Sequence, residues 1–512
     1  MVRINEAEVV TLRRRLLLRE RYLTIFKYVG VIVTAVGFFL LVPLLFLISY
    51  PQEWPYAASF LWASLLAFIM GGALYFYSTR KIKNEPALTI AEGGVIVVMA
   101  WFFTILLSTL PFILSGLWSP LHALFETVSG WTTTGLSVFD VEDTPALYLF
   151  WRSFMQFLGG AGLAVIMLSA IIGPHGLGLY QAEGRTELLL PQIRRSTKLI
   201  LTIYFGYTLT GLALYLAAGM SFFDALNHSM AALSTGGFST KTNSIGEWNN
   251  LTVEMVTIVL MLLGTINFAT HYLLLRGKIK DFFRSGEIQL VIVLTSLAVP
   301  AVAFLALRQI YFSLGQTFRI SLFQILSALS TTGFSTVSFN NWNMFGILVV
   351  VLLMLVGGGV NSTAGGIKQY RIYVMFKSLT WEFKRYFLSR TAVTQNYVWK
   401  GERKDYLSPQ QINQVSNFIF LFVITYFLGV LIFVASGYPL GDSMFEFASS
   451  LGTVGLSVGI VSPQAPPLIL WTVIFGMTLG RLEFIIIFVS LLKLGRDFKK
   501  YIGKHKKAPS KY

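Results

Sequence analysis

Four short segments carry the residue types from which a path for a small cation can be built. They read Thr-Thr-Thr-Gly-Leu-Ser-Val (Thr132 to Val138), Ser-Thr-Gly-Gly-Phe-Ser-Thr (Ser234 to Thr240), Ser-Thr-Thr-Gly-Phe-Ser-Thr (Ser330 to Thr336) and Gly-Thr-Val-Gly-Leu-Ser-Val (Gly452 to Val458). Aligned on Gly135, Gly237, Gly333 and Gly455, each copy has Thr two before the glycine and Ser two after it. A dehydrated monovalent cation needs several oxygens at once, without a full negative charge that would trap it, and backbone carbonyls supply them. Glycine permits the dihedrals that turn successive carbonyls inward. A single Thr/Ser/Gly stretch reads as an ordinary turn or a close helix contact. Four aligned copies read as a ring of carbonyls. Its candidate ligands are Thr133, Thr134, Gly135, Thr235, Gly236, Gly237, Thr331, Thr332, Gly333, Thr453, Val454 and Gly455.

The elements that must hold such a ring are membrane helices. The chain has 512 residues, 55% hydrophobic and only 12% charged, about half the charge usual in a soluble protein. Several apolar runs reach the roughly 20 residues that cross a bilayer. Two spans, about 24–48 and 57–78, come first. A pattern of span, short segment, glycine loop and span then repeats four times. Its paired spans lie near 91–114 and 147–172, 198–219 and 251–275, 287–308 and 343–380, and 411–436 and 467–494. The expected fold is an all-α polytopic membrane protein of ten spans.

Charge sets the orientation. The net charge of +16 comes from basic residues in short loops such as Arg276, Lys278, Lys280 and Arg284, and most densely from the loop Lys368 to Lys404. This is the positive-inside bias rather than a nucleic-acid surface. Both termini are expected in the cytoplasm. The first apolar run is too long for a signal-peptide core. The absence of cysteine excludes disulfides, thiolate metal sites and a cysteine nucleophile.

The segment before each glycine loop has about 12 residues, or roughly 18 Å of helix, too short to cross. Asp224 and Asp442 stand where they would cap its first turn. A polar column, Glu126, His228, Gln324 and Glu446, falls nine residues before the glycines and would tie the short helices to the loops. With their carboxyl ends facing the centre, the helix dipoles favour a cation.

Two further signals break the repeat. The last span of the third unit is interrupted by Gly357-Gly358-Gly359-Val360-Asn361-Ser362-Thr363-Ala364-Gly365-Gly366. That glycine density does not stay helical, and it does not match a phosphate loop. The reading is a flexible strand that obstructs the path. In the last span, Arg481 sits roughly 20 Å in from the outer end at helical rise. An arginine at that depth requires an internal partner; the carbonyls of 357–366 and the neighbouring Glu483 are the two candidates.

With four such loops, the glycine-rich break and Gly-Arg-Leu-Glu (Gly480 to Glu483) in hand, the chain from about residue 90 resembles the Trk/Ktr/HKT superfamily of potassium transporters. The two leading helices make it most similar to the TrkH branch, the membrane subunits of the prokaryotic Trk system. The resemblance implies four helix–pore loop–helix repeats in a pseudo-fourfold arrangement, with a selectivity filter at the four glycines. It implies a gate made by Gly357, Gly358, Gly359, Asn361, Ser362, Thr363, Gly365, Gly366 and Arg481, although Asn361 stands where small residues are commoner. It also implies a homodimer in the plasma membrane and a cytoplasmic TrkA-type nucleotide-binding subunit. Potassium would be the transported ion, with no cofactor in this chain.

The corresponding division is 1–85 (N-terminus and two extra helices), 86–190, 191–285, 286–405 and 406–512 (four repeats, the last with the basic tail). Two alternatives stay open. One is a symporter coupling potassium to sodium or protons, which parallel repeats and few intramembrane carboxylates disfavour. The other is a less selective potassium and sodium conductor. An enzyme lacks a nucleophile–base pair or a metal-ligand cluster among the five histidines.

Overall fold

Backbone amides in hydrocarbon have no water to bond, so apolar runs satisfy them internally as helices. The computed structural model describes residues 6–83, 85–86, 88–162, 193–389, 395–401, 403–482 and 484–502. Nearly all regular structure there is helical; the exception is an antiparallel hairpin, Tyr397–Lys400 with Arg403–Tyr406. Each expected span has a helix. Six described helices are long and apolar enough to cross a membrane. A seventh candidate is the pair Leu251–Thr265 and Phe268–Leu275, bent by 112° at the break. Met344–Val356 and Pro467–Arg481 are shorter apolar helices. The helix Ala146–Ala161 ends at Gly162 in a left-handed cap, and the rest of the expected span to 172 lies outside the described residues.

The chain divides into two compact units. The first takes residues 1–117, 164–198 and 482–512. Within it, Glu6–Leu41 and Ala57–Lys81 pack through small residues: a Cβ on Gly30 would meet the Gly71 carbonyl at 2.8 Å, and Ser64 Oγ donates to the Gly37 carbonyl at 2.8 Å. Without a hydrophobic drive between helices in lipid, close backbone approach of this kind supplies the attraction. Buried Glu92 is paired by Arg21 at 2.8 Å and Lys493 at 3.5 Å. Lys493 also reaches Asp497 at 3.0 Å. These charges are buried only because they are matched. The helix Ile90–Leu114, the first span of the first repeat, belongs to this unit.

The second unit takes residues 118–163 and 199–481 and contains all four glycine loops. Four short helices precede them: Pro120–Trp131, Phe222–Leu233, Leu314–Leu329 and Leu440–Gly452. Their caps differ from expectation. Ser119 and Ser221 are the N-caps of the first two, accepting from His122 and Asp224 amides. Asp224 stands three residues inside, its carboxylate taking the Ser221 hydroxyl at 2.8 Å. The fourth helix starts after Pro439, and Asp442 makes no capping bond. A hydroxyl one turn earlier reaches the orphan amides better than a carboxylate already in the helix.

Two expected continuous spans are also broken, and one expected loop is largely folded. Leu251–Thr265 stops because other groups capture its last carbonyls: His271 bonds the Leu263 carbonyl, Thr363 the Gly264 carbonyl and the Gly359 amide the Thr265 carbonyl. The final span ends at Arg481, and a new helix runs Phe484–Ile502. The basic stretch 368–404, expected as a loop, contains the amphipathic helix Gln369–Tyr386 and most of the hairpin. Glu483 lies outside the described residues.

Candidate ion path

All four short helices end the same way. In the first, the Thr133 amide bonds the Gly130 carbonyl at 3.1 Å and the Thr134 amide the Ser129 carbonyl at 2.9 Å. The second, third and fourth repeat this with Thr235 and Gly236, Thr331 and Thr332, and Thr453 and Val454. This is a Schellman termination, whose left-handed position is normally glycine. Here it is threonine every time, at φ of 55°, 51°, 55° and 51°. Holding a β-branched residue there costs about 1–3 kcal/mol. The return is a buried hydroxyl at four equivalent positions.

Two residues later the chain turns again at Gly135, Gly237, Gly333 and Gly455, with φ of 87°, 75°, 83° and 99°. Side chains are excluded there by neighbouring carbonyls. A Cβ on Gly135 would strike the Gly236 carbonyl oxygen; on Gly237, the Thr332 oxygen; on Gly333, the Val454 oxygen; and on Gly455, the Thr134 oxygen. First copy touches second, second third, third fourth, and fourth first. The four loops thus close into a ring, with the oxygen of the residue before each glycine packed on the glycine of an adjoining copy. A cavity of about 450 Å³ opens against this ring, lined by the four glycines and by Ser137, Ser239, Ser335 and Ser457. Arg152 and Lys241 also border it.

The polar column fastens each short helix to the strand leaving the ring. Glu126 accepts from Ser137 Oγ at 2.9 Å and the Val138 amide at 3.2 Å. His228 Nε2 bonds Ser239 Oγ at 3.0 Å. Gln324 donates to the Val337 carbonyl at 2.8 Å. Glu446 accepts from Ser457 Oγ, the Val458 amide and the Val461 amide at 2.7–3.0 Å. None of the four lines the cavity.

The glycine-rich break lies on the threonine side of the ring, opposite the cavity. The Gly365 amide donates to Thr331 Oγ1 at 2.9 Å. Thr363 Oγ1 meets Thr235 Oγ1 at 3.2 Å and donates to the Leu233 carbonyl at 3.0 Å. A Cβ on Gly365 would collide with Thr453 Oγ1. The break therefore touches three of the four left-handed threonines. Gly357, Asn361 and Gly366 have positive φ. Gly358 bonds Gly365 across the loop, Gly359 bonds Thr265, and Ser362 Oγ donates to the Gly359 carbonyl. Arg481 joins this assembly: it donates to the Thr363 carbonyl, to the Gly159 carbonyl at 2.8 Å and to the Gly160 carbonyl at 3.2 Å. One guanidinium thus clips the break to the end of the helix Ala146–Ala161.

The four loops meet in the ring, and the break reaches them through Thr363 and Gly365. Two participants were missed in the sequence. Arg152, 1% exposed, pairs with Glu126 at 2.6 Å, donates to Ser137 Oγ at 2.9 Å and stacks 4.1 Å over the Phe238 ring. Gln156 donates to the Gly236 carbonyl at 2.6 Å. Both lie on Ala146–Ala161 at i and i+4; a polar pair inside an apolar span was the available clue.

A helical fold with several apolar, membrane-length helices is that of a membrane transport protein. Residues 58–499 match the family described as TrkH, cation transport protein. The chain belongs to this family. It is 32% identical over 476 residues to an uncharacterized cation transporter of Methanocaldococcus jannaschii, covering 91% of this chain and 94% of that one. It is 31% identical over 430 residues to the Trk system potassium uptake protein TrkH of Escherichia coli, covering 80% and 87%. The crystal structure of the potassium transporter TrkH from Vibrio parahaemolyticus matches with a TM-score of 0.79 at 27% identity, covering 92% and 98%. These relatives are transporters, and the chain is not an enzyme.

Proposed function

We propose that the chain is the ion-conducting subunit of a potassium uptake system. Its four helix–pore loop–helix repeats (86–190, 191–285, 286–405 and 406–512) surround one pore in pseudo-fourfold order, and two extra helices (1–85) precede them in the chain. Potassium enters from the outer cavity, exchanges water for carbonyls around Gly135, Gly237, Gly333 and Gly455, and passes inward. The observation that carries this reading is the closed cycle of glycine–carbonyl contacts through all four copies. Such a ring replaces a hydration shell with oxygens of fixed number and field.

Residues 357–366 obstruct the path below the ring, and Arg481 holds them there and opposes cations from below. The protein sits in the plasma membrane with both termini in the cytoplasm, works as a homodimer and is controlled by a TrkA-type cytoplasmic subunit. The name of the Escherichia coli relative, a Trk system protein, supports a multi-component system. The basic helix Gln369–Tyr386 and the hairpin after it offer the docking surface. Flux in reconstituted liposomes, compared for potassium, rubidium, sodium and lithium, tests the reading. Potassium and rubidium are expected to pass best; sodium flux equal to potassium flux overturns it.

A further inference from the structure

The residue before the filter glycine is where the four copies differ most, and each copy fills the space beside it in its own way. In the first, Thr132 Oγ1 and Thr134 Oγ1 share a hydrogen bond of 2.8 Å. In the third, Ser330 Oγ and Thr332 Oγ1 do the same at 2.8 Å. The fourth has no hydroxyl at either place: a Cβ on Gly452 would lie 3.1 Å from Val454 Cγ2, and the Gly455 amide bonds Ser449 Oγ at 3.0 Å.

The second copy has Ser234 but only Gly236, so no hydroxyl pair forms within it. A side chain from outside the copy takes its place. Gln156, fully buried, donates from Nε2 to the Gly236 carbonyl at 2.6 Å and accepts the Phe238 amide at Oε1 at 3.1 Å. Its carboxamide therefore spans the backbone on both sides of Gly237. The fit is steric as well as polar, because a Cβ on Gly236 would run into the Gln156 carboxamide. Gly236 and Gln156 are a matched pair. The Gly236 oxygen is also the one packed on Gly135 in the ring.

We propose that Gln156 is a positioning residue for the ion path, replacing in the second copy the hydroxyl pair that shapes the first and third, and that it sets how strongly potassium is preferred over sodium. The inference rests on reading the four loops as a filter. A carbonyl oxygen has two lone pairs; the Gln156 donor occupies one and fixes the direction of the other. Selection between two ions of equal charge depends on the number and field strength of such dipoles. A carbonyl free to swing follows the smaller ion inward, so losing the brace favours sodium.

The sequence provides an internal control. Gly236→Thr makes the second copy read Ser-Thr-Thr-Gly-Phe-Ser-Thr, identical to the third. Ser234 is already placed like Ser330: each donates its hydroxyl to the carbonyl three residues earlier at 3.2 Å.

The test is flux of potassium and sodium through the purified full-length protein in liposomes, with thermal stability followed in detergent. Gln156→Ala and the similarly long Gln156→Met are expected to lower the potassium-to-sodium flux ratio about tenfold, the factor carried by one lost buried hydrogen bond. Gly236→Thr alone is expected to be as defective, because the slot is occupied. Gln156→Ala combined with Gly236→Thr is expected to return the ratio to within about threefold of the starting protein, since the third copy's hydroxyl pair can then form. A well-folded Gln156→Met with an unchanged ratio overturns the proposal. So does a double variant no better than Gln156→Ala. Equal potassium and sodium flux through the unaltered protein instead sinks the filter reading beneath it.

Discussion

The ring of carbonyls is built four times from nearly the same seven residues, while the segment on its threonine side is built once. The ring's contacts are steric and cyclic: each glycine is needed because an oxygen of an adjoining copy occupies the place of its side chain. The break at 357–366 shares one such close approach, Gly365 against Thr453 Oγ1, but is otherwise held by hydrogen bonds, to Thr331, Thr235, the Gly264 carbonyl and the guanidinium of Arg481. Steric exclusion is all-or-none, whereas hydrogen bonds of about 1 kcal/mol each exchange readily. A rigid ring beside a releasable strap is the difference expected between a part that selects and a part that opens.

That contrast can be broken from either side. The largest effect is expected in the ring. Gly333→Ala forces a Cβ onto the Val454 carbonyl, and potassium flux in liposomes should fall about a hundredfold, the factor for a few kcal/mol of strain. Normal flux and selectivity in that variant would show that the ring is not close-packed. Arg481→Ala should act in the opposite direction. Losing its bonds to the Thr363, Gly159 and Gly160 carbonyls should raise basal flux about tenfold, as the released strap shifts toward an open arrangement. Unchanged flux removes the arginine from the gate.

Thr331→Val sharpens the comparison where the two parts touch. It deletes the acceptor for the Gly365 amide while keeping the branched shape, and basal flux should rise roughly fivefold, in proportion to one neutral hydrogen bond. Loss of selectivity without a rise in flux would assign this hydroxyl to the ring instead. The smallest effect on flux is expected outside both parts. Arg319 pairs with Glu254 through two bonds of 2.7 and 2.8 Å but is one-third exposed. Arg319→Ala leaves the buried Glu254 carboxylate without its guanidinium, so it should lower thermal stability by about 1–3 kcal/mol and leave the flux ratio unaltered.

Two buried glutamates carry a related lesson. Glu126 and Glu446 occupy the same register in the first and fourth copies, and both bind the serine two residues after the glycine. Glu126 is met by Arg152 at 2.6 Å; Glu446 accepts two backbone amides and a hydroxyl, the Val461 amide being the additional one. The shared position was visible in the sequence because it recurs at a fixed offset. The two ways of compensating the carboxyl were not, because Arg152 comes from the following helix and Val461 from a loop that local pattern does not place.

Local and repetitive features were the ones readable from the chain. Apolar runs gave a helix for each expected span, since hydrocarbon leaves the backbone no other partner. Fixed spacing revealed the four loops and the polar column, and glycine density marked the break after Val356. Tertiary structure decided the rest. The left-handed threonines at 133, 235, 331 and 453 follow from helix termination within a packed ring, against the preference of a β-branched residue. The bend at Ile266 and Asn267 follows from carbonyls captured by residues nearly a hundred positions away. The pairing of Gln156 with Gly236 joins the helix Ala146–Ala161 to the second glycine loop, 80 positions further along the chain. Covalent neighbours fix what repeats along the chain. Contacts between distant segments fix which copy becomes unlike the others, because each vacant side-chain position is filled by whatever the fold brings against it.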